Sequence, residues 1–382
     1  MDFDLSEEQQ LLKDSLGRLL ADRGSFEQRQ KHQSEADGWS RALWARYAEL
    51  GLLGLPFEER HGGLGAGPVE TMVAMEAFGR ALALEPYLAA VVLGGGLIRH
   101  AGSEAQKSAL VPRIADGSLI LAFAHGERQA RYELADVATT AKKDGTGWAL
   151  DGEKGVVLHG DSADKLIVSA RVSGKRRDRE GIGLFLVDSN ASGVTRRGYP
   201  TADGLRAAEI GFSSVKLSAD AALGGPGHAL PAIERVVDEA IAALAAESVG
   251  VMAVMHEMTV EYLKTRKQFG TTIGSFQVLQ HRAVDMLVAL EQARSMAMFA
   301  TMMASEEDAA ERQKAMAAAK VQIGRSGKLV GQQAIQLHGG IGMTNEYKVG
   351  HYFKRMTMID TLFGPAEHHL SRLARTDGLV EA

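Results

Sequence analysis

The chain has 382 residues, with 43 basic and 48 acidic side chains, a formal net charge of −5 and no cysteine. Hydrophobic residues make up 45% and charged residues 24%, a balance typical of a folded globular protein, so a disordered chain is excluded. The slight acidic excess gives no electrostatic surface for nucleic acid or an anionic membrane, and the lack of cysteine excludes disulfides, thiolate zinc sites and a cysteine nucleophile.

The first third of the sequence has the periodicity of α-helices. Ser6 and Gln9 form a capping box, in which the serine caps the helix and the glutamine bonds back to it, and leucines follow at helical spacing. These features predict an α-helical N-terminal domain over residues 1–117. Further helices within it are predicted near residues 40–50, 68–83, 86–100 and 103–116.

The N-terminal segment Met1–Ser6 is acidic and lacks an apolar stretch, so we expect no signal peptide. No apolar run in the sequence approaches the roughly 20 residues that cross a bilayer. We therefore expect a cytoplasmic protein that has no membrane partner.

Beyond Gly117 the apolar residues come in short runs of β-branched character, which predict an antiparallel β-domain over residues 118–222. The predicted strands lie near residues 156–158, 165–170, 183–187 and 209–217. Turns are predicted at Asp144-Gly145, Asp151-Gly152 and Asn190–Gly193. The basic run Lys175–Arg179 is interpreted as a solvated loop.

Glycine and proline between Ala221 and Pro231 predict a linker, after which helical periodicity dominates. Long helices of this kind each hide one apolar stripe, so we expect them to pack as an antiparallel bundle over residues 223–382. The fold class is therefore α+β, mostly α. The three long helices are predicted near residues 232–266, 276–305 and 308–337.

The joint between the first two of these helices contains Arg266, Phe269, Ser275 and Gln277. An arginine pairs with a phosphate through two hydrogen bonds, and a phenylalanine is suited to lie against a flat ring system. Ser275 is a predicted cap for the next helix, whose positive N-terminal dipole favours an anion. The ordinary alternative is a plain helix–turn–helix joint.

A second candidate segment runs from Gln336 to Tyr347 and contains the glycine pair Gly339-Gly340. Glycines permit positive φ and a close approach of the backbone to a ligand, although the ordinary alternative is a C-capping turn. The two segments begin about 70 residues apart and both follow a β-domain. The two segments together indicate a particular protein family more specifically than either segment does alone.

On these segments the sequence resembles the acyl-CoA dehydrogenase family, and the resemblance extends over essentially the whole chain. It includes the opening Phe3–Gln9, Leu64-Gly65 and Asp151–Lys154. The resemblance implies an α-helical N-terminal domain, a middle antiparallel β-barrel and a C-terminal four-helix bundle. It also implies tetramers built from two dimers, FAD across a dimer interface, an acyl-CoA substrate and an electron-transfer flavoprotein as electron acceptor.

The resemblance further implies roles for individual residues, and no metal. Asp238 matches a family aspartate that binds the CoA arm. Contacts to FAD, on its pyrophosphate and adenine side and from the adjoining subunit, are implied for Arg266, Phe269, Gln277, Gln336, Gly339 and Gly340.

The sequence departs from the family at the catalytic base, a carboxylate that removes the α-proton of the acyl-CoA while a hydride leaves the β-carbon for the flavin. Counting from Arg355, the place of this base falls on Gly364. A second place that some members use falls on Ala240. Glu239 is adjacent, but one residue is about 100° around a helix, so a surface role is expected. Glu367 is interpreted as the start of the final helix, and the catalytic residue is left unassigned.

The flavin-facing part of the β-domain departs as well. The loop that normally carries Thr-Glu-Pro-Gly-Ala-Gly-Ser-Asp has His125 and Glu127 here, and the strand that normally ends in Trp-Ile-Thr/Ser ends in His159. The hydroxyl donors expected at the flavin edge are therefore missing. The two histidines are candidate substitutes, with an ordinary structural role as the alternative.

The losses are asymmetric, because the residues given to a neighbour's FAD are kept and those for the chain's own flavin and substrate are lost. Some bacterial members form heterotetramers with two copies each of two subunits, such as pimeloyl-CoA dehydrogenase. The chain resembles their small subunits, which serve bulky or unusual acyl-CoAs, including dicarboxylyl and steroid side-chain thioesters. The alternatives are a self-sufficient homotetramer with a relocated base, a flavin monooxygenase-type relative, and a metal-binding helical bundle.

Overall fold

The computed structural model describes residues 4–376. Phe3, which opens one of the segments that carry the family resemblance, lies outside the described residues. The predicted capping box is confirmed, because the Ser6 hydroxyl accepts a hydrogen bond from the Gln9 backbone N–H at 3.2 Å and the Gln9 side chain accepts one from the Ser6 N–H at 3.0 Å.

The predicted helices of the first third and of the C-terminal part are confirmed within a few residues. The segment predicted at residues 86–100 begins as a π-helix over Leu88–Gly95 before it becomes α-helical. The α-helices of residues 4–376 are α1 (Glu7–Arg23), α2 (Phe26–Gln33), α3 (Arg41–Glu49), α4 (Pro68–Ala81), α5 (Gly96–Ala101), α6 (Glu104–Ala115), α7 (Leu230–Thr265), α8 (Gln277–Met303), α9 (Ala309–His338), α10 (Val349–Thr361) and α11 (Ala366–Thr376).

The middle of the chain forms one eight-stranded sheet, and a separate two-stranded hairpin follows α7. The strands are β1 (Leu121–Ala124), β2 (Thr140–Asp144), β3 (Gly147–Leu158), β4 (Lys165–Arg171), β5 (Ile182–Asp188), β6 (Val194–Pro200), β7 (Arg206–Leu217), β8 (Ala222–Gly227), β9 (Lys267–Gln268) and β10 (Thr271–Thr272).

The sheet is open, so the expected barrel is wrong. Its strand order is β6-β7-β3-β2-β4-β5-β8, with β1 attached to β4, and the end strands β6 and β8 do not pair with each other. The expected antiparallel pairing holds for most neighbours, but β1 runs parallel to β4, with Leu121 opposite Lys165, and β2 meets β4 in parallel at Thr140 and Arg171.

Two sequence signals in this sheet were misread. Asp151-Gly152 lies inside β3 and is not a turn, because the register shifts between Leu150 and Gly152, where a φ of 145° suits glycine. The Asp151 carboxylate holds this bulge by accepting a hydrogen bond from the Ser214 N–H at 2.7 Å. The predicted linker contains β8, which pairs with β5 through Leu223 and Leu184.

The chain divides into two compact units, each made of separate stretches. The helical unit comprises the described residues up to Lys31, Pro68–Ala83 and the described residues from Ile241 onwards. The mixed unit comprises His32–Gly67 and Leu84–Ala240, and it contains the eight-stranded sheet.

In the helical unit α9 packs against α8, α10 and α11. Small residues on α9 allow the close approach of α10, since a Cβ at Gly327 would lie 2.5 Å from the Met356 side chain and one at Gly331 would lie 2.2 Å from the Phe353 ring. The predicted long helices are α7, α8 and α9, and two shorter helices complete this part of the chain. No helix within residues 4–376 is both long enough and apolar enough to cross a membrane.

Candidate cofactor-binding and catalytic sites

The first candidate segment is an exposed hairpin directly after α7. The Arg266 N–H donates to the Tyr262 carbonyl oxygen at 2.9 Å, and the Ile273 N–H closes the hairpin on the Arg266 carbonyl oxygen at 2.9 Å. Phe269 and Gly270 form the turn between β9 and β10, with φ of 55° and 80°. The Phe269 side chain is 92% exposed, so the structure presents an aromatic ring to its surroundings.

The N-terminus of α8 has no side-chain cap. Phe276 occupies the cap position, and the predicted cap Ser275 instead donates its hydroxyl to the Thr272 carbonyl oxygen at 2.7 Å. The prediction failed because Ser275 ends a 3₁₀ turn, one residue too early to reach the helix N–H groups. Gln277 is the first residue of α8 and is exposed, and an uncapped helix start of this kind suits an anionic ligand.

The second candidate segment follows the end of α9. Gln336 is exposed in its last turn, and Gly339 leaves the helix with φ 64°. No atom lies within 4 Å of the position that a Cβ would take at Gly339 or Gly340. The backbone is therefore open to a ligand at both glycines, as their sequence pattern predicts.

An aromatic contact brings the two segments together within the helical unit. The Tyr262 ring stacks on the His338 ring with 4.6 Å between centroids. The Tyr347 ring also contacts the His338 ring, with 5.0 Å between centroids. Tyr262 is one helical turn before Arg266, and His338 immediately precedes Gly339. The contact was not predicted, although the aromatic residues beside both motifs are a signal for it in the sequence.

Asp238, the residue expected to contact the CoA arm, belongs to the mixed unit. It lies near the start of α7 and is only 3% exposed. The six predicted FAD contacts all belong to the helical unit. The ligand contacts of these seven residues stay predictions. The structure places the CoA candidate in the mixed unit and the six FAD candidates in the helical unit.

Gly364 occupies the expected place of the catalytic base, and its backbone is specialised for glycine. The preceding Phe363 has φ 57° and Gly364 has φ 104°, a region that residues with a side chain avoid. A Cβ at Gly364 would lie 2.6 Å from Cδ2 of His368. The alternative place, Ala240, is fully buried.

The loop around Gly364 is held rigidly by two buried side chains that the sequence analysis did not single out. The Lys320 ammonium donates to the carbonyl oxygens of Ile359, Asp360 and Leu362 at 2.7, 3.0 and 2.8 Å, and burial lowers the Lys320 pKa to about 8. His369 Nε2 lies 2.9 Å from the Phe363 carbonyl oxygen, and burial lowers the His369 pKa to about 3.

Glu239 is engaged by basic groups and is not a surface residue, so the earlier expectation is wrong. Its carboxylate contacts Arg99, the His100 Nε2 at 2.8 Å and the Arg235 Nε at 3.3 Å. Burial raises the pKa of Glu239, but the hydrogen bond from His100 and the charges of Arg99 and Arg235 lower it more. The lowered pKa makes this carboxylate a weaker base, and its oxygens are already engaged by the three basic side chains. Glu367 lies exposed in the first turn of α11, as predicted for a helix start.

The altered flavin loop forms a polar cluster inside the mixed unit. The Lys154 ammonium is buried and donates to Glu127 at 2.7 Å and to the Ser169 hydroxyl at 3.0 Å. His125 Nδ1 lies 2.8 Å from the same hydroxyl, and its ring stacks on Phe123 at 5.2 Å. Burial, followed by the Lys154 charge, lowers the His125 pKa to about 3. His125 is therefore neutral and occupied by a structural contact.

The other candidate histidine, His159, is 3% exposed and has φ 51° at the end of β3. The basic run Lys175–Arg179 between β4 and β5 is an exposed loop, as predicted. Arg176 and Arg177 in this loop both bind the buried Asp136 through their Nε atoms at 2.8 Å. This contact joins residues about 40 apart in the sequence, so local composition does not reveal it.

The chain matches three family definitions in the expected order. They are "Acyl-CoA dehydrogenase, N-terminal domain" at residues 6–118, "middle domain" at 122–217 and "C-terminal domain" at 231–376. This chain therefore belongs to the acyl-CoA dehydrogenase family, whose members are FAD-dependent oxidoreductases acting on CH–CH bonds.

Relatives cover nearly the whole chain. The acyl-CoA dehydrogenase FadE12 of Mycobacterium tuberculosis is 30% identical over 352 residues, which are 90% of this chain and 89% of FadE12. A solved Tcur3481–Tcur3483 steroid ACAD variant is 30% identical, with TM-score 0.87 and 98% of both chains covered. The ChsE4–ChsE5 complex from Mycobacterium tuberculosis is 25% identical, with TM-score 0.88 and complete coverage of both chains.

Proposed function

We propose that this chain is the small subunit of a heterotetrameric acyl-CoA dehydrogenase, which completes its partner's FAD site and carries no catalytic base. The assembly performs α,β-dehydrogenation of a bulky or unusual acyl-CoA thioester. The chain itself contributes binding groups, and the partner contributes the base. The three-domain division at residues 1–117, 118–222 and 223–382 belongs to the same proposal.

The observation that carries the proposal is the conformation of Gly364. A catalytic carboxylate at this place needs a side chain, and a side chain here would be strained by the φ of 104° and would require the His368 ring, 2.6 Å from its Cβ, to move. Neither of the two glutamates that the sequence offered as substitutes is suited to the role, because Glu239 is held by three basic groups and Glu367 is exposed at the start of a helix.

The helical unit supports the other half of the proposal. The residues proposed to hold FAD are exposed around the hairpin of Phe269 and the end of α9, and Tyr262 and His338 hold the two segments against each other. Arg266 and the uncapped start of α8 suit a pyrophosphate, and Phe269 suits a flat ring. FAD bound there supplies the hydride acceptor, and these residues orient it.

Apolar side chains on α8 support assembly with another subunit. Val278, Val284, Leu287 and Val288 are each at least 42% exposed. A row of exposed apolar side chains on a single helix indicates a protein–protein contact. Two of the similar solved structures, Tcur3481–Tcur3483 and ChsE4–ChsE5, each pair two differently named chains, which favours a hetero-oligomer here.

The test is the visible spectrum and the FAD content of this chain, purified alone and then co-expressed with a glutamate-bearing family member encoded beside it. We expect the chain alone to be colourless and inert, and the mixed tetramer to hold about half an FAD per chain and to oxidise an acyl-CoA. One FAD per lone chain, bleached by an acyl-CoA, would contradict the proposal.

Variants of this chain sharpen the test within the mixed tetramer. Arg266→Ala and Phe269→Ala are expected to weaken FAD retention, because each removes a group that faces the cofactor. Lys267→Ala is the matched control, since it removes an adjacent exposed positive charge from the same hairpin. Glu367→Gln is expected to leave turnover unchanged, and a loss of turnover would identify Glu367 as a relocated base.

A further inference from the structure

A large cleft lies within the helical unit, away from every residue discussed for FAD or the base. It has a volume of about 1150 Å³ and is bounded by one stripe of α1, one stripe of α4, the second half of α8 and the start of α10. A volume of this size is at the upper end of small-molecule sites, which run from roughly 300 to 1,000 Å³.

The floor of the cleft is apolar, and small residues keep it open. Gly17 and Ala21 of α1 face Ala77 and Ala81 of α4, and larger apolar side chains such as Met298 complete the lining. No atom lies within 4 Å of the position of a Cβ at Gly17. The gap between the helices therefore comes from the sequence itself, since larger side chains at these positions would fill it.

The cleft extends along α1 and α4, which pack against each other, because lining residues are spread along both helices. Their starts are joined by a hydrogen bond of 2.8 Å from the Gln9 amide to the Glu70 carboxylate, and Arg29, just beyond α1, donates to the carbonyl oxygen of Leu82, just beyond α4. The 17 residues of α1 span about 26 Å at 1.5 Å per residue. This length accommodates an extended palmitate chain.

The charges of the cleft favour an anion, although the whole chain is acidic. The lining residues include five basic side chains, Lys13, Arg18, Arg80, Arg294 and Lys348, and three acidic ones, Asp4, Asp14 and Glu76. The lining therefore has a net charge of +2, against −5 for the chain.

The basic side chains that line the cleft differ in whether they already form ion pairs. Arg294 binds Glu76 at 3.0 Å, and Arg80 binds Glu257 through two hydrogen bonds. Among the described residues, Lys13, Arg18 and Lys348 form no ion pair, although Arg18 donates to the Ser15 hydroxyl at 3.3 Å and the charge of Lys348 acts on Glu27. Because the Arg18 and Lys348 side chains are exposed, they are available to an anionic head group.

We propose that this cleft binds a long-chain carboxylate, with its aliphatic chain along the small residues of α1 and α4 and its head group beside Arg18 and Lys348. The Tyr352 hydroxyl donates to the Arg80 carbonyl oxygen at 2.5 Å and fixes the wall at that end.

The test measures binding of radiolabelled palmitate to the assembled protein by equilibrium dialysis. Gly17→Phe places a ring in the cleft, where no atom obstructs it, and should abolish binding of one palmitate per chain. Glu8→Phe is the matched control, because Glu8 is exposed on the same helix and does not line the cleft. Both variants are checked for an unchanged thermal midpoint. Equal palmitate binding by Gly17→Phe and the parent would overturn the proposal.

A second comparison tests the head group. The double variant Arg18→Gln, Lys348→Gln should weaken palmitate binding by about tenfold, the effect of losing two partly exposed charge contacts. It should leave hexadecanol binding unchanged, because the alcohol has the same chain and no charge. If hexadecanol binds as tightly as palmitate to the parent protein, the site does not recognise an anion and the proposal is wrong.

Discussion

The Arg355 guanidinium and the Glu247 carboxylate form a bidentate ion pair inside the helical unit, with Nε–Oε1 and Nη2–Oε2 distances of 2.5 and 2.7 Å. The two residues are 4% and 5% exposed and join α10 to α7. Burial of both charges makes the loss of one partner costly, because the other then remains charged without water or a counterion.

We predict that Glu247→Gln lowers the free energy of unfolding by about 3–5 kcal/mol. Glu257→Gln is the control, because Glu257 forms a bidentate pair with Arg80 that is 56% and 44% exposed, and exposed pairs contribute about 1 kcal/mol or less. Urea unfolding of both variants measures the difference. Losses within 1 kcal/mol of each other, roughly the value of an exposed pair, would refute the buried-pair argument.

Gly364→Ala should destabilise the chain by about 1–3 kcal/mol, since alanine must adopt a strained φ there. The contact to His368 adds to the strain. Gly17→Ala is the opposite case, because Gly17 is an open position inside α1, and it should stabilise the chain by about 0.5–1 kcal/mol. Thermal unfolding of both variants measures these changes in stability. If Gly364→Ala leaves the stability unchanged, the loop relaxes around the new side chain and the prediction is wrong.

Gly364→Glu should not create a dehydrogenase from the chain alone. The new side chain meets His368 and the loop held by Lys320, so its carboxylate is displaced from the place that a base needs. The measurement is acyl-CoA-dependent bleaching of FAD, with the folded state checked by circular dichroism. Turnover by the folded variant would show that the missing carboxylate is the sole reason why the chain alone lacks dehydrogenase activity.

The buried pair of Glu127 and Lys154 predicts a specific pH dependence. Burial alone would raise the Glu127 pKa, but the charge and hydrogen bond of Lys154 and the N–H of Thr139 lower it to about 2, from an ordinary value of 4.5. The folded state therefore binds fewer protons between these values. Stability from this contact is present above pH 4.5 and is lost as the pH falls through about 2.

We expect the difference in urea midpoint between the parent and Glu127→Gln to be constant from about pH 7 to pH 5 and to shrink towards pH 3. Asp144→Asn is the control, because Asp144 forms a solvent-exposed pair with Lys216 in the same sheet. A difference for Glu127→Gln that does not change between pH 5 and pH 3, the interval in which an ordinary glutamate titrates, would contradict the lowered pKa.

Helical periodicity and glycine–proline signals were enough to predict most elements, because each of these patterns is local. The capping box at Ser6 and the long helices α7, α8 and α9 are confirmed on this basis. The open sheet was not predictable in the same way. Alternation of apolar residues says that a strand exists, but it does not specify that β1 and β4 run parallel.

The candidate site was misjudged wherever a side chain depends on a distant partner. Glu239 was expected at the surface, yet it is 139 and 140 residues from His100 and Arg99, which hold it. Lys320 reaches carbonyl groups about 40 residues away. The prediction that Ser275 caps α8 was wrong for a local reason, since Ser275 ends a 3₁₀ turn and the helix starts one residue later than expected.

Under the proposed function, the contact between Gly364 and His368 makes self-sufficiency harder to reach than a single mutation. Two of the four glycine codons become a glutamate codon by one nucleotide change. A glutamate introduced in this way would meet a backbone with φ 104° and the His368 ring 2.6 Å from its Cβ. A working base at this place would therefore require further changes in the loop, and the subunit would depend on its partner until those changes had accumulated.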